Sequence, residues 1–263
     1  MEIPPGPFSE TKETGTKILG LIPARFRSTR FPGKPLADID GKSMIQRVYE
    51  RAIKSASLDE VVVATDDERI LLHVNEFGGR AIMTAATHQS GTDRCAEASY
   101  KLPGFDVIIN IQGDEPFIDS GQIDLLASCF ANENTQLATL VKRITSTDEL
   151  NNPNSPKVIL DSTSNAIYFS RTPIPYLRDK DPATWLGYHT FYKHIGIYGY
   201  RYQTLQAITQ LPVSLLEKAE SLEQLRWIEN GYSIRVAVTE IETSAVDTPE
   251  DLQKILRERT SAG

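Results

Sequence analysis

Asp114 and Glu115 stand where an apolar run stops. Residues 107–111 read Val-Ile-Ile-Asn-Ile, and Gln112, Gly113, Asp114, Glu115 and Pro116 end the run abruptly. A short run of this kind fits a buried parallel strand. Ligands of open α/β sheets bind just beyond the carboxyl ends of such strands. A carboxylate placed there can hold a hard divalent cation, and the cation can hold phosphates. The same residues also suit a plain turn with both carboxylates solvated.

A second apolar run, at 17–24, leads into Arg25, Arg27, Arg30 and Lys34, with Gly33 and Pro23, Pro32 and Pro35 around them. No acidic residue separates these cations in a chain of net charge −7. They repel one another unless solvent or an anion lies between them. A triphosphate is such an anion, with arginine acting as a fork and lysine as a point charge. The loop lacks the Gly-x-x-x-x-Gly-Lys-Ser/Thr pattern of a Walker A motif.

Eight further residues, in five segments, can complete a site. Thr92, in Thr87-His-Gln-Ser-Gly-Thr-Asp-Arg94, serves either as a helix cap or as a contact to an anion or base edge. Arg171 ends a predicted strand and can fork a carboxylate. His194 and Tyr198 share one face of a predicted strand with Gly196 and Tyr200, a face that can meet a hydroxylated ligand. Glu220, Glu223 and Gln224 fall together at helical spacing, where Glu–Arg pairing on a solvated face is the simpler alternative. Asp247 precedes a helix and is either an ordinary helix-start residue or a second metal carboxylate. Thr65, Asp66 and Asp67 read as an ordinary helix start with no chemistry assigned. Neither Lys193 nor His194 has metal-ligand spacing to another His or Cys.

The elements that must position these residues alternate from residue 17 onward. Strands are expected at 18–22, 60–64, 80–83, 107–111 and 137–143. Helices are expected at 43–56, from 68 to 77, at 92–101 and at 119–132. This βαβ repetition predicts an α/β fold with a mostly parallel sheet and helices on both faces. Beyond residue 146 the pattern changes to a β-hairpin at 158–161 and 166–170, then a strand at 193–200. A single helix over 214–230 follows, then a strand at 233–239 and a last helix at 249–259 with Thr248 as its cap. We divide the chain into a mobile tail at 1–16, a nucleotide-binding α/β region at 17–145, an inserted region at 146–232, and a return to the main sheet at 233–263.

Composition excludes several classes. A pI near 5.2 argues against general nucleic-acid binding, which wants a basic face. No apolar run approaches the roughly 20 residues of a membrane span. Residues 1–16 lack the charged start and apolar centre of a signal peptide, from which a cytoplasmic location is expected. The two cysteines, Cys95 and Cys129, make neither a disulfide framework nor a zinc spacing and are expected to be small core residues.

Seven strings occur in a fixed order. They are Pro-Ala-Arg-x-x-Ser-Thr-Arg-x-Pro-Gly-Lys-Pro-Leu (23–36), His-Gln-Ser-Gly-Thr-Asp-Arg (88–94), Gln-Gly-Asp-Glu-Pro (112–116), Phe-Ser-Arg (169–171), Tyr-Lys-His-Ile-Gly-Ile-Tyr (192–198), Leu-Glu-Gln-Leu-Arg (222–226) and Val-Asp-Thr-Pro-Glu-Asp-Leu (246–252). Together they resemble the 3-deoxy-manno-octulosonate cytidylyltransferases, also called CMP-KDO synthetases, over nearly all of 17–257. Phe31 and Gly199 depart from that family's usual leucine and alanine, and residues 1–16 have no counterpart in it.

The resemblance implies a nucleotide-diphospho-sugar-transferase-like fold, Mg²⁺ dependence, a homodimer formed through 146–232, and CTP and KDO as substrates for lipopolysaccharide synthesis. It implies that Arg25, Arg30 and Lys34 hold the CTP phosphates and that Pro23, Ala24, Thr92 and Gln112 surround the nucleoside. Asp114 and Asp247 would ligate the metal. Arg171, His194, Tyr198, Glu223 and Gln224 would bind KDO. A CMP-sialic acid synthetase is the nearest alternative, although Arg171-Thr-Pro-Ile-Pro and Lys193-His-Ile-Gly favour the KDO enzymes. Guanylyl- or uridylyltransferases and a catalytically silent nucleotide-binding regulator are more distant ones. The last would need a lost ligand or cation, and Arg25, Lys34, Asp114 and Asp247 are all present.

Overall fold

The computed structural model describes residues 15–27, 31–242 and 245–261. Arg30 and residues 1–14 of the expected tail lie outside them. The first half alternates as its sequence pattern demands. Strand β1 (Ile18–Ala24) leads through a two-strand ladder, β2 (Asp38–Ile39) and β3 (Lys42–Ser43), into α1 (Met44–Ala52). Then follow β4 (Glu60–Thr65), α2 (Glu68–Glu76), β5 (Ala81–Met83), α3 (Gly91–Lys101), β6 (Val107–Asn110), α4 (Ser120–Ser128) and β7 (Leu137–Arg143). Ser43 caps α1 by accepting from Gln46 N–H, Asp67 caps α2, and Asp119 caps α4.

The second half supplies α5 (Thr147–Asn151), the hairpin β8 (Lys157–Leu160) and β9 (Ala166–Ser170), and the long β10 (Tyr192–Arg201). It continues through α6 (Tyr202–Ile208), α7 (Leu215–Glu220), α8 (Gln224–Glu229), β11 (Ile234–Val238) and α9 (Pro249–Ser261). Thr248 and Asp251 cap α9 reciprocally: Asp251 N–H donates to the Thr248 hydroxyl, and Thr248 N–H donates to the Asp251 carboxylate.

The main sheet runs β11-β7-β10-β6-β1-β4-β5. β1 pairs in parallel with β4 and β6, as do β4 with β5 and β7 with β11. Only β10 runs against its neighbours β6 and β7 in this row, and the β8–β9 hairpin extends from its start. β10 thus comes from the inserted region and lies between two strands of the first half.

Alternation along β1 sends Ile18 and Ile22 to one face, against α1, α2 and α4 through Ile45, Val48, Ile70 and Leu126. Leu19 and Leu21 go to the other face, against α3, α6 and α8 through Cys95, Ala98, Leu205 and Trp227. Helices therefore cover both faces, as the pattern predicts. Burial raises the pKa of both Cys95 and Cys129, in keeping with small core residues rather than reactive thiols.

Three local expectations are corrected. The helix expected at 214–230 is broken into α7 and α8, because Ser221 adopts a left-handed conformation with φ 51°. The helix expected at 119–132 ends at Ser128 and closes with a single 3-10 turn at Cys129–Ala131. Thr92 is not a cap: Ser90 caps α3, with Ser90 and Asp93 satisfying each other's backbone N–H groups.

Candidate active site

The carboxyl ends of β1 and β6 open into a cavity of about 340 Å³. β1 contributes Pro23, Ala24 and Arg25, and the loop after β6 contributes Gln112, Gly113 and Asp114. Lys34 and Pro35, the segment His88–Gly91 with Arg94, and Asp247 complete the wall. The loop after β6 can lie this close to β1 because residue 113 is glycine. A Cβ there would sit 2.7 Å from the Pro23 carbonyl oxygen. Ser90 and Gly91, at the start of α3, line the same space, and the positive end of a helix favours an anion there.

The strongest electrostatic feature is the ammonium of Lys34. It donates to Asp114 Oδ2 at 2.8 Å and to the Val246 carbonyl at 2.9 Å, and lies 3.6 Å from Asp247 Oδ1. The lysine backbone is fixed by a 3-10 turn, Lys34–Leu36, entered through Gly33 at φ 73°. Gly33 N–H in turn donates to the Phe26 carbonyl, and the Phe26 ring packs beneath the glycine.

Asp247 arrives on a strap from β11. That strap is held by Val246 N–H donating to the Asp114 carbonyl at 2.8 Å and by burial of Val246 against Ile39 and Met44. Farther back, Glu242 meets Lys142 at 2.7 Å and also Lys193, whose ammonium lies 2.5 Å from Glu149. Asp114 and Asp247 are 80 and 213 residues from Lys34 in sequence, and the sheet end and the strap bring all three together.

The residues expected on the sugar side form a second group, behind α3. The Thr92 hydroxyl donates to Glu223 Oε2 at 2.7 Å, and Glu223 also accepts from Arg226 at 3.1 Å. Burial raises the Glu223 pKa in spite of these partners. The Tyr198 ring packs on His194 with ring centroids 5.1 Å apart, and on Trp227 at the same separation. Tyr198 Oη and Gln224 Nε2 are buried polar atoms with no partner among the described residues. Such orphaned groups in a folded protein call for a ligand or water.

Pro23, Ala24, Arg25, Lys34, Gln112, Asp114 and Asp247 therefore come together around one cavity. Thr92, His194, Tyr198, Glu223 and Gln224 lie outside its lining. Arg171 departs furthest from expectation. Its guanidinium donates to the carbonyls of Glu220 (2.6 Å), Pro153 (2.9 Å) and Ser221 (3.2 Å), and Arg171 N–H donates to the Glu220 carboxylate. It clamps the break between α7 and α8 and does not face the cavity.

Comparison with known proteins decides the family. A family profile described as Cytidylyltransferase matches residues 19–240. The 3-deoxy-manno-octulosonate cytidylyltransferase of Parabacteroides distasonis is 61% identical over 245 residues, covering 91% of this chain and 97% of that protein. The protein of the same name from Porphyromonas gingivalis is 53% identical over 252 residues, covering 94% and 98%. The chain belongs to the 3-deoxy-manno-octulosonate cytidylyltransferase family. A solved CMP:2-keto-3-deoxy-manno-octonic acid synthetase complexed with CTP superposes with a TM-score of 0.87 at 44% identity, over 94% of this chain and all of that one. A putative glucose-1-phosphate thymidylyltransferase from Bacillus anthracis, 16% identical, shares the fold with a TM-score of 0.63 over 92% and 94% of the two chains.

The cavity wall also holds residues that sequence reasoning passed over. Arg94 is buried at the cavity wall, with one guanidinium nitrogen 2.5 Å from the Thr84 hydroxyl and another 3.2 Å from Asp66. Asp66, read from sequence as having no chemistry, thus orients a cavity residue. His88 reaches Glu97. Burial opposes ionisation of Glu97, yet Lys101, the Ala85 N–H and His88 hold its carboxyl down at about 2. The Ser-x-x-Asp spacing of Ser90 and Asp93, a capping signature, was the available signal that α3 begins at the cavity.

Proposed function

We propose that the chain transfers a cytidylyl group from CTP to 3-deoxy-manno-octulosonate, giving CMP-KDO and pyrophosphate for lipopolysaccharide synthesis. The observation that carries this reading is the convergence of Arg25, Lys34, Asp114 and Asp247 on one cavity at the carboxyl end of the sheet. An acid-sugar hydroxyl oxygen forms the new bond to the α-phosphorus, the α–β anhydride bond breaks, and its electron pair leaves with pyrophosphate. The hydroxyl proton passes to solvent. Little covalent work falls to the protein, so positioning and charge neutralisation dominate.

Arg25 and Lys34 would hold the phosphates, with Arg30 assigned to the same task from sequence. Pro23, Ala24 and Gln112 would enclose the nucleoside. Thr92 would act one step back, holding Glu223. The unpartnered Tyr198 Oη and Gln224 Nε2, with His194 and Glu223 beside them, would meet the hydroxyls of the acid sugar.

Magnesium fits the donor set. Asp114 and Asp247 are hard oxygen donors that already converge on one positive charge, the Lys34 ammonium. No group of three His, Cys, Asp or Glu that could hold a metal occurs among the described residues. Two carboxylates completed by substrate phosphates and water is the usual magnesium arrangement. When bound there, the metal supplies Lewis-acid neutralisation of phosphate charge.

The reading includes a homodimer, supported by exposed Tyr176, Tyr188 and Ile167 in the inserted region. It also includes action in the cytoplasm; no helix among the described residues is long and apolar enough to cross a membrane.

The test is pyrophosphate release with CTP and Mg²⁺, offered KDO, sialic acid or a sugar phosphate in turn. Release with KDO alone is expected. Preference for sialic acid or a sugar phosphate would overturn the substrate assignment.

A further inference from the structure

Lys34 meets two carboxylates of the protein, Asp114 and Asp247, and under the proposed function must also serve a triphosphate. Its ammonium donates to Asp114 and to the Val246 carbonyl, and forms a longer ion pair with Asp247 at 3.6 Å. The position that bridges both carboxylates is therefore already taken by a cation. Lysine is suited to leave it. The backbone of Lys34 is fixed by the 3-10 turn, but a flexible four-carbon stem carries the charge and can swing without moving the loop.

We propose that Lys34 is a placeholder cation: it holds Asp114 and Asp247 together and excludes a divalent metal until a triphosphate draws its ammonium away. The inference rests on the reading of Asp114 and Asp247 as the metal carboxylates. With the ammonium between them, a divalent ion entering alone meets a like charge at close range and one carboxylate already neutralised. A nucleotide changes both terms. Its phosphates give the ammonium another partner and bring further oxygen ligands for the metal. Metal and nucleotide should then bind each other's complex more tightly than the free protein, and by the same factor in either order.

The test measures Mn²⁺ binding by electron paramagnetic resonance on the full-length protein, without and with CTP and with no sugar present. Wild-type protein should bind Mn²⁺ weakly alone and tightly with CTP. Lys34→Met should bind Mn²⁺ about tenfold or more tightly without CTP, because a like charge has gone from the site. Lys34→Arg, which keeps the charge, should remain masked, and circular dichroism melting should show both variants folded. Unchanged or weaker Mn²⁺ binding by folded Lys34→Met without CTP overturns the placeholder role. Should Lys34→Met misfold, the wild type alone decides: equal Mn²⁺ affinity with and without CTP overturns the proposal. Failure of the underlying metal reading looks different. Asp114→Asn and Asp247→Asn would then leave Mn²⁺ binding in the presence of CTP as it is in the wild type.

Discussion

Replacing Asp114 or Asp247 by asparagine keeps the shape of the site and removes one negative charge beside Lys34. Under the proposed mechanism each change should lower kcat by on the order of 10². Steady-state turnover at saturating CTP and KDO measures this, and near-normal turnover in either variant would release that aspartate from the site. His194 invites a different measurement. Burial among Phe169, Tyr198 and the Thr139 hydroxyl pushes its pKa down to about 3 from an ordinary 6.5. As pH falls below 6.5 the unfolded chain takes up this proton and the folded protein does not. Stability is therefore lost between about pH 6.5 and pH 3, at up to about 1.4 kcal/mol per pH unit. Urea unfolding at pH 7 and pH 5 should show a larger loss for wild type than for His194→Asn; equal losses would show that the ring titrates normally.

Among elements, the break between α7 and α8 shapes the group of residues proposed to meet the sugar. It turns Glu223 and Gln224 inward, and Arg171 at the end of β9 holds it by bonds to the Glu220 and Ser221 carbonyls, with a third bond tying it to Pro153. Arg171→Ala should therefore act through this elbow. The KM for KDO should rise about tenfold, and melting should fall by a few degrees, as expected for losing charged hydrogen bonds of roughly 1.5–3 kcal/mol each. CTP affinity by calorimetry should stay unchanged; a matching loss of CTP affinity would show that the elbow also supports the nucleotide side. The elbow was not legible in the sequence. Glu-Lys-Ala-Glu-Ser-Leu-Glu-Gln-Leu-Arg contains no glycine or proline, and its apolar spacing continues across Ser221. Nor do backbone carbonyls leave a mark by which the partners of Arg171 could be read. Asp114 was legible for the opposite reason: a nearly uniform apolar strand ends beside it, and strand ends are where such folds place ligands.

At the scale of the whole molecule, the alternation of strands and helices predicted the layers and the mostly parallel sheet. The order of the strands was another matter, because pairing between distant segments is not encoded in the period of either one. β10 alternates as any strand does, and nothing in its residues announces that it separates β6 from β7. That insertion has a consequence for how the protein is made. β6 pairs with β1 on one side and with β10 on the other, while among the described residues β7 pairs with β10 and β11 alone. On the ribosome the open edge of β6 must wait for about ninety further residues, from Asn110 to Arg201, before its partner exists. At about 5–20 residues per second that wait lasts roughly 5–20 s. For that interval the nascent chain carries an unpaired apolar edge of the kind that seeds aggregation. A chain stopped at residue 145 should be retained by chaperones or recovered as aggregate, whereas one carried through β11 and α9 should be soluble. A folded, monomeric 1–145 fragment would show that the edge is protected some other way. Synonymous codons that slow translation between residues 110 and 201 should lower the yield of active enzyme, although they change no contact in the finished fold.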